Sequence, residues 1–201
     1  MLGKFLALVM NTMILQALVL FLSILVFWMV LPLDPDTFEA LLGLLPWVFL
    51  YSLLVTVAFG SISIAFSALM KSRVKITLVL MLIIMLVFFI GMIPRMLFTT
   101  TYENYYLYYP DLGYHLGNTF TMFMDQAESG QMMPQNQPFM TAFAGTYKGV
   151  EESFDPDIGA MPPSLELTNY VTPVTSVAIW VGIFVIMLGL AAWAIEKKEV
   201  H

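Results

Sequence analysis

Four stretches of this chain carry no charged residue: Phe5 to Leu33, Ala40 to Met70, Ile76 to Pro94 and Leu167 to Ile195. Each is long enough to hold the roughly 20 apolar residues that cross the hydrocarbon of a bilayer as a helix. Only 11% of the residues are charged and the mean hydropathy is +0.85, against roughly 25% charged residues in soluble domains. The chain therefore reads as an all-α integral membrane protein with four transmembrane helices, at about 5–31, 47–70, 74–92 and 174–195. It divides into a three-helix membrane part, 1–95, an aromatic-rich outer region between helices three and four, 96–172, and a final helix with its tail, 173–201. The first run is too long for the apolar core of a signal peptide, roughly 7 to 15 residues, and no small-residue cleavage site follows it.

Charge sign sorts by side. Lys4, Lys71, Arg73, Lys75, Lys197 and Lys198 stand at one set of helix ends, and only Arg95 and Lys148 at the other. By the positive-inside rule both termini and the 71–75 turn are cytoplasmic, and 96–172 is extracytoplasmic. Twelve of the fourteen acids then fall outside, so the acidity belongs to one face. A net charge of −6 and a pI near 4.7 argue against nucleic acid as a partner, because phosphate binding needs a basic patch. With no cysteine, disulfides, thiolate metal sites and cysteine nucleophiles are excluded.

Within the first span Asn11, Thr12, Gln16 and Ser23 interrupt an apolar sequence, and such residues at membrane depth usually face other helices. Asp36 and Glu39 have the spacing of a capping box, predicting a helix start near Thr37. Pro46 beside Trp47 predicts an interfacial kink with an aromatic anchor. In the same helix Gly60, Ser63 and Ser67 fall on one face, and Ser61, Ala65, Ala68 and Ser72 on a neighbouring one. Small residues at this spacing form a helix-packing face, because they let backbones approach closely. After the third span Gly91 and Pro94 close the helix, and Arg95 is expected at the outer interface, snorkelling to headgroups or holding an anionic ligand.

The outer region holds eight of the nine tyrosines. Tyr102, Tyr105, Tyr106 and Tyr109 recur at i, i+3, i+4 and i+7, predicting one aromatic face of a short helix suited to a membrane surface, a lid or an aromatic ligand cage. A turn at Pro110–Thr119 leads into a helix carrying Phe120, Phe123 and Met124, with Gly130 as its stop. A further helix is expected over about 139–154, then a Pro- and Asp-rich link at 155–163. Helices and loops are expected here rather than a separate β domain.

Catalytic constellations are scarce. The histidines are His115 and His201, no Gly-x-Ser-x-Gly elbow or paired metal-ligand histidines occur, and no Gly-x-x-x-x-Gly-Lys-Ser/Thr loop is present to bind nucleotide. The reading is not an enzyme, with no catalytic residue, cofactor or metal, and any ATP-driven work assigned to another subunit. Met122, Met124, Met132, Met133, Met140 and Met161 with His115 offer soft ligands for Cu(I), but methionine in an apolar chain is ordinarily filler. Glu151, Glu152, Asp155 and Asp157 lack the spacing and glycine of a calcium loop and read as a solvated acidic surface.

Leu2-Gly3-Lys4-Phe5-Leu6-Ala7-Leu8 resembles the start of the third helix in ABC-2 type ABC-transporter permeases. Tyr51-Ser52-Leu53-Leu54 and the stretch Ser61 to Arg73 are similar to that family's fourth helix and its cytoplasmic turn. Tyr114-His115-Leu116-Gly117-Asn118 resembles a segment of some archaeal members, and Ala192-Trp193-Ala194-Ile195-Glu196-Lys197-Lys198-Glu199-Val200 resembles the basic C-terminal end. The order and spacing of these stretches match the family's last four helices over about 2–110 and 172–200; the first two helices and the coupling segment are absent, which leaves a second polypeptide, a fragment or a reused scaffold. The resemblance implies a multi-pass subunit of a prokaryotic cell membrane, working with a separate ATPase and another permease-like chain, with Lys71, Arg73 and Lys75 as the ATPase-contact turn. The alternative is a non-transporting structural or assembly subunit, with the outer tyrosines as docking surface.

Overall fold

The computed structural model describes residues 2–30, 35–126, 147–149, 165–167 and 170–199. In chain order these form α1 (Leu2–Val30), α2 (Pro35–Leu69), α3 (Arg73–Met85) continued by a π turn (Leu86–Ile90), α4 (Met92–Leu97), α5 (Thr99–Asn104), α6 (Leu112–Gln126), β1 (Tyr147–Gly149), β2 (Leu165–Leu167) and α7 (Pro173–Glu199). Among the described residues four helices are long and apolar enough to cross a bilayer: Gly3–Val30, Leu42–Leu69, Arg73–Arg95 and Pro173–Lys197. The expectation of four spans holds.

Helix boundaries follow local chemistry. α2 starts at Pro35, two residues before the expected Thr37, and runs through Pro46 without a break in its helical assignment. It ends where the Met70 amide donates to the Phe66 carbonyl. Ser72 then caps α3: its hydroxyl accepts from the Lys75 amide at 3.5 Å, and its carbonyl accepts from Ile76 at 3.1 Å. Thr172 caps α7 in the same way, accepting from the Thr175 amide at 3.4 Å. Pro173 occupies the first helical position, where a missing N–H costs nothing.

Two compact units divide the chain. The first holds α1, α2, α3 to Met81, α6 from Phe123, and α7 from Ala178. Its core is built from small side chains and rings. Ala65 and Ala68 of α2 cluster with Ala191 and Ala194 of α7, flanked by Ile64, Met187 and Ile195. The Phe59 and Trp180 rings lie 5.7 Å apart, Phe5 and Phe184 5.8 Å, and Trp47 and Phe123 6.2 Å. Hydroxyls in these apolar surroundings bond back to their own helix: Thr12 to the Leu8 carbonyl, Ser23 to Val19 and Ser61 to Ala58. That satisfies them where no water can. Gln16 instead donates from Nε2 to the Ser52 hydroxyl of α2.

The second unit holds α3 from Leu82, the π turn, α4, α5, α6 to Met122, the strands, and α7 to Val177. β1 and β2 pair antiparallel, with Lys148 opposite Glu166. This pair of three-residue strands is not a separate β domain, but Tyr147–Gly149, inside the helix expected over 139–154, is a strand. The rest of that segment, the 155–163 link and the Gly130 stop lie outside the described residues, as do Glu151, Glu152, Asp155 and Asp157.

Candidate functional site

The densest polar chemistry lies in the second unit, around the junction of the π turn, α4 and α6. Arg95 Nε lies 2.7 Å from Asp111 Oδ2 and Nη2 lies 3.1 Å from Oδ1, a two-pronged ion pair whose side chains are 4% and 8% exposed. Nε also donates to the Gly91 carbonyl at 3.0 Å. The Asp111 carboxylate accepts from the Tyr102 hydroxyl at 2.9 Å and from the Tyr114 amide at 3.0 Å, so Asp111 also caps α6 from the residue preceding it. Burial first, and next the charge of Asp111, hold the Tyr102 phenol well above its ordinary range. It stays protonated, as its role as donor requires.

This arrangement corrects the expectation for Arg95. It is neither a snorkelling headgroup anchor nor a cation open to an anionic ligand, because its guanidinium is buried against the carboxylate of Asp111, sixteen residues on. Two glycines make the approach possible. A Cβ on Gly113 would stand 2.1 Å from the Val87 carbonyl oxygen and 2.4 Å from Arg95 Nη2, and one on Gly91 would stand 2.9 Å from Asp111 Oδ1.

A second polar group lies deeper. His115 Nε2 sits 2.9 Å from the Tyr109 carbonyl, which only accepts, so Nε2 carries the proton. His115 Nδ1 then accepts from the Ser176 hydroxyl at 3.0 Å, and Ser176 accepts in turn from Asn118 Nδ2 at 2.9 Å. Asn118 Nδ2 also donates to the Val171 carbonyl. His115, Asn118 and Ser176 are fully buried, and together they tie α6 to the start of α7. Asn118 Oδ1 has no partner among the described residues. With both ring nitrogens occupied, His115 is not available as a copper ligand.

Burial lowers the His115 pKa below its ordinary value, and the Tyr109 carbonyl opposes this only in part. A group held neutral in the fold takes its proton more readily when unfolded, so its contribution to stability is complete above about pH 6.5 and is lost as pH falls below it. The thermal midpoint of the purified chain should therefore drop between pH 7 and pH 5, and His115→Gln should flatten that drop. An unchanged slope in the variant would show that His115 does not set it.

The expected tyrosine face is not formed. α5 stops at Asn104, and Tyr106 takes a positive φ of 55°, which breaks the helical register on which the spacing relied. Tyr102 turns inward at 2% exposure, whereas Tyr105, Tyr106 and Tyr109 stay open at 73%, 62% and 57%. The packed aromatic cluster is a different set: Tyr102, Tyr108, Tyr114 and Val171, with Leu107 and Tyr170 against it. Tyr108 and Tyr170 stack at 4.9 Å and 10°, and the Tyr170 hydroxyl donates to Glu103 Oε1 at 2.5 Å.

In the first unit the candidate packing face separates. Gly60 is buried, and a Cβ there would meet Leu8 of α1 at 3.0 Å, while Ser63 is half-buried and Ser67 exposed. The side packed within the chain is the neighbouring one, with Ser61, Ala65 and Ala68 buried. Lys71, Arg73 and Lys75 are all exposed around the Ser72 cap.

The sequence profile of the family described as ABC-2 family transporter protein matches residues 1–200. The chain belongs to this ABC-2 transporter family. No curated protein and no solved structure matches it. Membership makes this ABC-2 chain a membrane transport component, and the match takes in the tyrosines of 102–109 and the Arg95–Asp111 knot as well as the four spans. Sequence reading missed Asp111, Gly113, Asn118 and Ser176. The signal for Asp111 was available: a lone acid beside Pro110, with Tyr114 three residues on, is an N-cap pattern.

Proposed function

We propose that this ABC-2 chain is a permease-like subunit of a transporter complex, forming part of the translocation path and driven by a separate ATPase. The observation that carries this is the family match over residues 1–200 together with the four apolar spans. In this reading the termini and the 71–75 turn are cytoplasmic, residues 96–172 are extracytoplasmic, and the membrane is that of a prokaryotic cell. The charge sorting supports that orientation. Lys71, Arg73 and Lys75, exposed at a turn between two spans, are the residues assigned to ATPase contact, and another permease-like chain completes the path.

The test is affinity purification of the tagged chain from native membranes in mild detergent. An ATPase subunit should co-purify, and Lys71→Glu with Arg73→Glu and Lys75→Glu should reduce its recovery several-fold at unchanged chain abundance. Purification with no ATPase in several detergents would remove the reading. A structural subunit is the second reading, favoured by the three open tyrosines, Tyr105, Tyr106 and Tyr109. It predicts partners whose association ignores ATP and that are lost on Tyr105→Ser with Tyr106→Ser.

A further inference from the structure

The polar network between α6 and the start of α7 closes on itself except at two atoms. The first is Asn118 Oδ1. Asn118 Nδ2 donates to the Val171 carbonyl at 2.8 Å and to Ser176 Oγ at 2.9 Å, whereas Oδ1, on the same fully buried side chain, meets no donor among the described residues. Turning the amide over does not mend this, because the oxygen would then face the Val171 carbonyl, which only accepts. The orientation is fixed, and Oδ1 lacks a donor.

The second atom is the hydroxyl proton of Tyr114, a side chain with 0% exposure. Its oxygen accepts from the Val171 amide at 3.3 Å and from the Tyr170 amide. Burial raises the phenol above its ordinary pKa, so the proton stays on, yet no described residue accepts it. Tyr114 and Asn118 stand four residues apart on one face of α6. Both reach Val171, Tyr114 at its N–H and Asn118 at its C=O. An unspent donor and an unspent acceptor therefore lie side by side, out of reach of bulk solvent, and do not bond each other.

We propose that Tyr114 and Asn118 hold one buried water molecule, which accepts from the Tyr114 hydroxyl and donates to Asn118 Oδ1. The imbalance itself selects this ligand. A metal cation would satisfy Oδ1 but take no proton from Tyr114, and an anion would accept that proton but leave Oδ1 unmet. A neutral molecule that both donates and accepts satisfies both, and buried waters ordinarily bond about two to four such groups. The water would complete the grip of α6 on Val171, the residue before the Thr172 cap of α7, and so fix where the last span begins. The site stands apart from the transport reading.

Proton-detected solid-state NMR of the full chain in phosphatidylcholine vesicles reads the site without any substitution. The Tyr114 hydroxyl proton should be protected from exchange and should show a cross peak to a water that exchanges slowly with bulk. The same water should reach the Asn118 side-chain amide. In Tyr114→Phe its signal at Asn118 should fall about fivefold or more. Thr121→Val is the control: that hydroxyl bonds the Asn118 backbone carbonyl rather than its side chain, and the water signal should be unchanged. A Tyr114 hydroxyl bonded to a protein carbonyl, a hydroxyl with no water cross peak, or a water signal at Asn118 that survives Tyr114→Phe would each overturn the proposal. Where the variant does not fold, the spectrum of the unsubstituted chain decides it.

Discussion

Gly113→Ala should be among the most damaging single-methyl changes this chain can receive. The new Cβ would stand 2.1 Å from the Val87 carbonyl oxygen and 2.4 Å from Arg95 Nη2, distances at which something must move. The nearest obstacle is backbone in the π turn, and it cannot rotate aside as a side-chain end does. Overpacking ordinarily costs about 1–3 kcal/mol; here the carbonyl and the buried guanidinium must both shift, so the upper end, about 3 kcal/mol, is expected. Gly182 supplies the control, since a Cβ there meets nothing within 4 Å. Gly182→Ala should be neutral or gain up to about 1 kcal/mol from helix propensity. Thermal unfolding of the two variants in the same detergent, followed by circular dichroism, reads the contrast directly. Equal midpoints would mean that the π turn yields to α6, and the close approach would then have no structural importance.

The four spans were legible because lipid imposes a rule that composition alone satisfies: about 20 residues without charge. The Ser72 and Thr172 caps rest on equally local chemistry but went unread, Ser72 having been placed on a small-residue face. What else escaped the sequence depends on partners far along the chain. Arg95 next to a span end looks like any interfacial cation until Asp111, sixteen residues later, is brought within 2.7 Å. The tyrosine spacing promised one helical face, but the chain leaves the helix after Asn104 and spends a positive φ at Tyr106, and periodicity has no means to register such a stop. The small-residue face was closer. Two neighbouring faces were legible in the same stretch of α2, and which one packs internally was decided by the alanines of α7. His115 offered no pattern at all, since its partners are a carbonyl at Tyr109 and a hydroxyl at Ser176.

The Arg95–Asp111 pair allows the strongest test of whether this knot organises the second unit. Exposed pairs contribute at most about 1 kcal/mol, but both side chains here are buried, and removing one partner of a buried pair strands the other charge at about 3–5 kcal/mol. Arg95→Met leaves the carboxylate with the Tyr102 hydroxyl and the Tyr114 amide as its side-chain-directed donors among the described residues. Asp111→Asn strands the guanidinium and weakens the cap on α6 as well. Each single variant should therefore lower the unfolding midpoint strongly, and the double variant should be no worse than the poorer single. In a double-mutant cycle that gives a coupling of about 2–3 kcal/mol. Since burial limits ionic screening, the coupling should persist in high salt. Additive losses under about 1 kcal/mol each, fading with salt, would mean that the pair behaves as a surface contact.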